Sequence, residues 1–172
     1  VVAGPGREGR TLALRSTFGV FISDDGGGRW AWRCEEELAY SGRKLWDPPL
    51  ALGRDGGDGV PVFVGVPDGM WRDRTRCGPE RVSEVGMEYT GDVTADPTGT
   101  QLYWASAGYG RPSIIFASDD GGRTWSRRYA GQDVLFETVE SAPSDAARVY
   151  LTGIDVRDGF TRLYRSDDGA RT

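Results

Sequence analysis

The 172-residue chain has no histidine, two cysteines, two methionines and a single lysine, Lys44. Without histidine there is no Ser-His-Asp triad, no imidazole general base and no histidine-based metal site. Cys34 and Cys77 alone make a poor zinc site, and no metal or cofactor is expected. No apolar run approaches the ~20 residues of a membrane span. The opening Val1-Val-Ala-Gly4 lacks an initiator Met and the basic-plus-apolar pattern of a signal segment. No helical period of useful length is present. The net charge of −5 and pI near 4.8 oppose general nucleic-acid affinity. The 21 basic residues are almost all arginine, which reads as the codon bias of a GC-rich bacterial genome.

What the chain has is glycine and turns. Its 26 glycines and 9 prolines separate many short apolar stretches, a composition suited to strands. Three copies of one phrase stand out: Ser23-Asp-Asp-Gly-Gly-Gly-Arg-Trp30, Ser118-Asp-Asp-Gly-Gly-Arg-Thr-Trp125 and Ser166-Asp-Asp-Gly-Ala-Arg-Thr172. The second fits Ser-x-Asp-x-Gly-x-Thr-Trp throughout; the first has Arg29 in place of Thr, and the third stops before its Trp. The phrase resembles the Asp-box, or bacterial neuraminidase repeat, of sialidase-like β-propellers.

Spacing tests the resemblance. The first two copies start about 95 residues apart and the last two about 48, so a degenerate copy is expected midway. Gly69-Met-Trp-Arg72 matches the strand endings before the other copies, and Asp73 to Cys77 follows it, with Cys77 in the glycine's place. Four units of the length of a propeller blade result. The expected fold is all-β: blades of four antiparallel strands in an incomplete ring, with Asp-box turns between third and fourth strands. The whole of 1–172 is one partial propeller, with blades at 1–40 (incomplete), 41–88, 89–132 and 133–172 (incomplete). Both ends look cut, and the remaining blades are expected partners.

Within each box, Asp and Ser side chains bond following backbone groups, glycine supplies positive φ and Trp covers the hairpin. The structural set is Ser23, Asp25, Gly27 and Trp30; Ser118, Asp120, Gly122, Thr124 and Trp125; Ser166 and Asp168. The paired acids Asp24-Asp25 and Asp119-Asp120 look like acid/base pairs or calcium ligands. A catalytic pair is not copied once per blade, so they are read as turn braces. Cys34 on an outer strand and Cys77 in the degenerate box are expected to form a blade-to-blade disulfide, which implies an oxidising compartment.

Acids expected near the channel are Asp47, Glu88, Asp92, Glu137 and Glu140, with Tyr89 and Arg111 not far away. Asp92 and Glu137 are the catalytic candidates. The resemblance implies an arginine triad, a Tyr/Glu nucleophile pair and an aspartate acid/base in sialidases, but Gly110-Arg-Pro-Ser113 has the wrong form for the first arginine, and Arg111 inherits no role. Arg72, Arg74 and Arg76 alternate along one strand and read as an exposed face. The expected function is a secreted, periplasmic or cell-surface bacterial scaffold that binds a protein or glycan. The alternative is a glycoside hydrolase, sialidase-like or endoglucanase-like, with part of its site outside this segment.

Overall fold

A computed structural model describes residues 2–4, 10–38, 47–74, 78–82, 89–108 and 111–172. Among them the chain forms four antiparallel sheets, each running outward in sequence order. The first holds β1 (Val2–Ala3), β2 (Leu12–Ser16), β3 (Gly19–Ser23) and β4 (Ala31–Cys34). The second holds β5 (Leu50–Leu52), β6 (Val62–Val66), β7 (Gly69–Arg74) and β8 (Gly78–Arg81). In the third are β9 (Thr90–Ala95), β10 (Leu102–Ser106), β11 (Ser113–Ser118) and β12 (Ser126–Gly131). The fourth has β13 (Val134–Ala142), β14 (Asp145–Asp155) and β15 (Thr161–Ser166). This is the expected all-β architecture of propeller blades, and the ring is not closed.

The sheets stack face to face, and burial explains their sequences. One apolar cluster fills each interface: Ala13, Val20, Leu52 and Val64 between sheets one and two; Phe63, Met70, Trp104 and Trp125 between two and three; Tyr103, Ile115, Phe136 and Leu151 between three and four. A strand covered on both faces reads as a continuous apolar run, as β6 and β10 do. The inner strand of the second sheet begins only at Leu50, because Pro48 and Pro49 lack the ladder N–H; Pro49 still accepts from the Gly65 N–H. After Cys34 the chain makes one turn closed by the Leu38 N–H on the Cys34 carbonyl, and residues 39–46 lie outside the described residues.

Three turns, each following the third strand of its sheet, share one hydrogen-bond circuit. Ser23, Ser118 and Ser166 donate to Asp25, Asp120 and Asp168 at 3.0, 2.8 and 2.8 Å. The same hydroxyls accept the N–H of Gly27, Gly122 and Ala170 at 2.8, 2.8 and 3.0 Å. Each carboxylate then caps the next N–H groups: Arg29 for Asp25, Arg123 and Thr124 for Asp120, Arg171 and Thr172 for Asp168. Thr124 and Thr172 add a hydroxyl bond of 2.7 Å, which Arg29 in the first turn has no hydroxyl to make. The Thr172 hydroxyl, then its N–H, holds the Asp168 carboxyl well below the usual range.

The third-sheet turn docks on the second sheet. Trp125 meets Phe63 edge-on at 5.5 Å, and Arg72 donates to the Gly122 carbonyl at 2.8 Å. Gly122 has φ +83°, and a Cβ there would overlap the Phe63 ring; at Gly27 an added Cβ makes ordinary contact only. Gly122→Ala therefore combines left-handed strain with overpacking, an expected loss of about 2–4 kcal/mol in denaturant unfolding. Gly27→Ala carries the strain alone, so an equal loss at both positions refutes the docking argument.

In the second sheet, Asp73 stands at the serine position, and residues 75–77 of the turn that follows lie outside the described residues. Register places Asp73 opposite Val62 just as Ser23, Ser118 and Ser166 stand opposite Leu12, Leu102 and Val149. Its side chain turns instead to Arg33 of β4, giving a 2.6 Å ion pair between the first two sheets with Asp73 fully buried. Burial raises the Asp73 carboxyl, against the pull of Arg33. Cys34, beside Arg33, is a free, half-buried thiol, and the partner expected for it, Cys77, lies outside the described residues. Besides the apolar cluster, the described residues join these sheets by this ion pair. Arg33→Met leaves a buried unpaired carboxylate and is expected to cost about 3–5 kcal/mol at neutral pH, with most recovered in Arg33→Met/Asp73→Leu. Asp73 has a raised pKa, so the single variant gains stability as pH falls; a flat difference from wild type between pH 7 and 4 counts against the pair.

Candidate functional site

The inner strands β5, β9 and β13 line a cavity of about 910 Å³. Each of these strands is the first of its sheet and leaves one edge free toward the cavity, whose wall carries Asp47, Asp92, Glu137 and Glu140, with Arg15 of β2. Thr94 and Thr138 add hydroxyls. The structure thus brings together both catalytic candidates, Asp92 and Glu137, and two more of the acids expected near the channel. Glu88 lies outside the described residues, as do Arg76 and Gly110. Tyr89 and Arg111 are not among the cavity's lining residues. Arg15 was not foreseen, because its register on a second strand gives no signal of channel exposure.

Asp92 is half-buried and has both oxygens engaged. Its Oδ1 accepts the Val93 N–H at 2.9 Å, and its Oδ2 accepts the Val139 N–H of β13 at 3.1 Å. The second bond satisfies a backbone donor on the neighbouring sheet's inner strand, next to the bulge between Phe136 and Thr138. Thr94 and Glu140 make a longer contact between the same strands at 3.4 Å. Burial pushes the Asp92 carboxyl up to about 6; the Val139 and Val93 bonds oppose this, and Glu140 adds to it. Glu137 and Glu140 are exposed. The wall is acidic, with Arg15 as its cation, and repels a carboxylate-bearing ligand.

The remaining candidates take other positions. Asp119 pairs with Arg128, and Asp167 with Arg148 and Arg165, so the first acid of these two turns anchors arginines of its own sheet. Arg72 bonds Glu80, and Arg74 reaches Asp58 at 3.6 Å, so two of the three alternating arginines face carboxylates. No group of three or more potential metal ligands occurs among the described residues. No described helix is long and apolar enough to cross a membrane.

No protein-family model and no curated protein matches the sequence. Solved structures do match in fold. A GH74 enzyme of Niastella koreensis superimposes with a TM-score of 0.61 at 17% identity, over 95% of this chain and 27% of that one. A chain of the mitotic checkpoint complex gives 0.52 at 13% identity, over 97% and 50%. One from the hydrazine synthase of Kuenenia stuttgartiensis gives 0.51 at 17%, over 94% and 48%. The chain therefore spans between about a quarter and a half of these neighbours. Similarity at such identities is similarity of fold, and together with the four stacked sheets it identifies this chain's architecture as that of β-propeller blades.

Proposed function

We propose that this chain is a non-catalytic binding module: Asp-box propeller blades of a secreted or surface-bound bacterial protein that present their channel and rims to a protein or glycan partner. One observation carries the reading. Asp92, the cavity acid whose pKa is raised to about 6, has each oxygen committed to a backbone N–H, and one of those bonds joins two sheets. That is the work of a wall brace. The repeated acids of the turns are likewise consumed by hydrogen bonds, and no histidine is available as a base.

A second reading rests on the same residue. A carboxyl titrating near 6 beside Glu137 in one cavity has the protonation expected of a glycosidase acid, with Glu137 as its partner. The acidic wall weighs against sialosides and leaves neutral glucans as the substrate class for this reading. Incubation with fluorogenic sialosides and with a panel of soluble glucans, scored by released reducing ends, separates the two. The binding module gives no turnover above blank; turnover that disappears in Asp92→Asn or Glu137→Gln establishes the hydrolase instead.

Asp92 also makes a prediction about pH. Its folded pKa lies above that of the unfolded chain, so the folded state holds the proton more tightly. Its contribution to stability is present at pH 4 and declines as pH rises through 6. Relative to Asp92→Asn, the wild-type protein is expected to lose thermal stability between pH 4 and 7. A carboxyl carbon resonance for Asp92 that titrates near 4 removes the basis for this expectation.

A further inference from the structure

Four arginines surround one cleft between the second and third sheets. Arg54 comes from residues 54–59, between β5 and β6, Arg72 and Arg74 from β7, and Arg123 from the turn after β11. The rest of the wall is glycine and proline apart from Asp58, its one carboxylate. This concentration of positive charge occurs in a chain whose net charge is −5. Arg72 has its donors committed to Glu80 and to the Gly122 carbonyl, both at 2.8 Å. Arg74 reaches Asp58 only at 3.6 Å, and the Asp58 side chain is 77% exposed.

Arg54 and Arg123 are bound more loosely still. Neither has a carboxylate within ion-pair distance among the described residues, and the one polar contact of the two side chains is Arg123 on the Gly56 carbonyl at 3.5 Å. Elsewhere Arg33, Arg148, Arg157, Arg162 and Arg165 each hold an aspartate within 2.7 Å. The two side chains cross, each lying over a glycine of the other's loop. An added Cβ at Gly121 would meet the Arg54 Cβ at 3.1 Å, and one at Gly56 would overlap the Arg123 guanidinium. Gly56 has no left-handed φ that requires glycine, so its missing side chain provides room for that guanidinium. Two cations held at one cleft without a counter-charge repel each other, and an anion between them removes the repulsion.

We propose that this cleft binds a single phosphate or sulfate group, free or as the monoester of a sugar. The site lies outside the channel and goes beyond the binding-module reading, on which it does not depend. A guanidinium presents a planar fork of N–H donors that matches two oxygens of a tetrahedral oxyanion. Arg54 and Arg123 have such forks uncommitted, and Arg74 stands beside them with a weak partner. The bordering acids limit what else enters. Asp55, Asp119 and Asp120 line the adjoining groove on the side of Arg54 and Arg123. Backbone N–H groups hold Asp55 and Asp120, and Arg128 holds Asp119, so these carboxylates are fixed in place. They repel the next charge of a polyanion, and the ligand therefore carries an isolated anionic group.

The test is calorimetric titration of the whole chain with inorganic phosphate, inorganic sulfate, glucose 6-phosphate and glucose 6-sulfate, and with heparin as a polyanion. Saturable binding of phosphate or sulfate, weakened by added sodium chloride, is expected. Tighter binding of the sugar esters makes the ester the ligand, and equal binding makes it the free ion; both results sustain the site. Arg54→Gln and Arg123→Gln are each expected to weaken binding about tenfold with an unchanged melting temperature, since each removes hydrogen bonds to a charged group. Arg127→Gln, an exposed change on β12 outside the cleft, is expected to leave binding as it was. No saturable binding by the wild-type chain overturns the proposal, as does undiminished binding in both cleft variants. A loss in Arg127→Gln as large as in Arg54→Gln overturns it too, because general attraction then accounts for the binding. Preference for heparin over the four small probes refutes the isolated group.

Discussion

A serine hydroxyl and an aspartate carboxylate hold each of three turns, and the packing of the outer strands depends on them. A tight turn leaves several N–H groups without ladder partners, and unpaired buried donors are costly. One hydroxyl and one carboxylate satisfy these donors within a few residues, at a net stabilisation of about 1 kcal/mol for each bond. The larger effect is geometric. The circuit sets the backbone so that Gly122 presses against Phe63 and Trp125 enters the neighbouring sheet. Ala170, at φ 60°, shows that the same backbone is imposed on a residue that adopts it less readily.

Where the serine position holds an aspartate, a different interaction forms. Asp73 stands at the serine position of the second sheet and reaches across to Arg33, forming a buried charge pair between sheets. Such a pair adds little net stability because both ions lose water, yet removing either partner is damaging. The pair therefore favours one alignment of the sheets. Asp92 serves similarly on the inner side, joining β9 to β13 at an otherwise unpaired N–H. The channel wall and the outer turns are held by different carboxylates for the same reason, the demand of backbone donors for acceptors.

With the scaffold held by repeated contacts, positions outside them are free to differ between sheets. The position that Trp32, Arg81 and Arg127 share, opposite Phe21, Trp71 and Phe116, keeps its backbone-directed bond in the first two sheets while its chemistry changes from aromatic to charged. The channel acids vary in the same way, with Asp47, Asp92 and Glu137 on successive inner elements. Function in such an architecture is carried by differences between sheets, and the common residues carry the fold.

The spacing of the Ser-Asp-Asp-Gly phrases and the apolar runs before them were enough to expect a strand ending at each phrase, as β3, β11 and β15 do at Ser23, Ser118 and Ser166, because turn bonds act over five residues and strand burial follows a local period. The meeting of Asp92 with Glu137 around one cavity was legible in part, since both sit on inner strands. The Arg33–Asp73 pair, Arg15 in the channel and the bond from Asp92 to Val139 were not legible. Each joins residues far apart in sequence, and a side chain's partner across two sheets depends on register and on how the sheets stack. The sequence by itself determined the repeated turn and the strands on either side of it, because those forces are local. Tertiary packing alone decided that Asp92 braces the channel wall, which charges are buried and which aromatic rings remain in water.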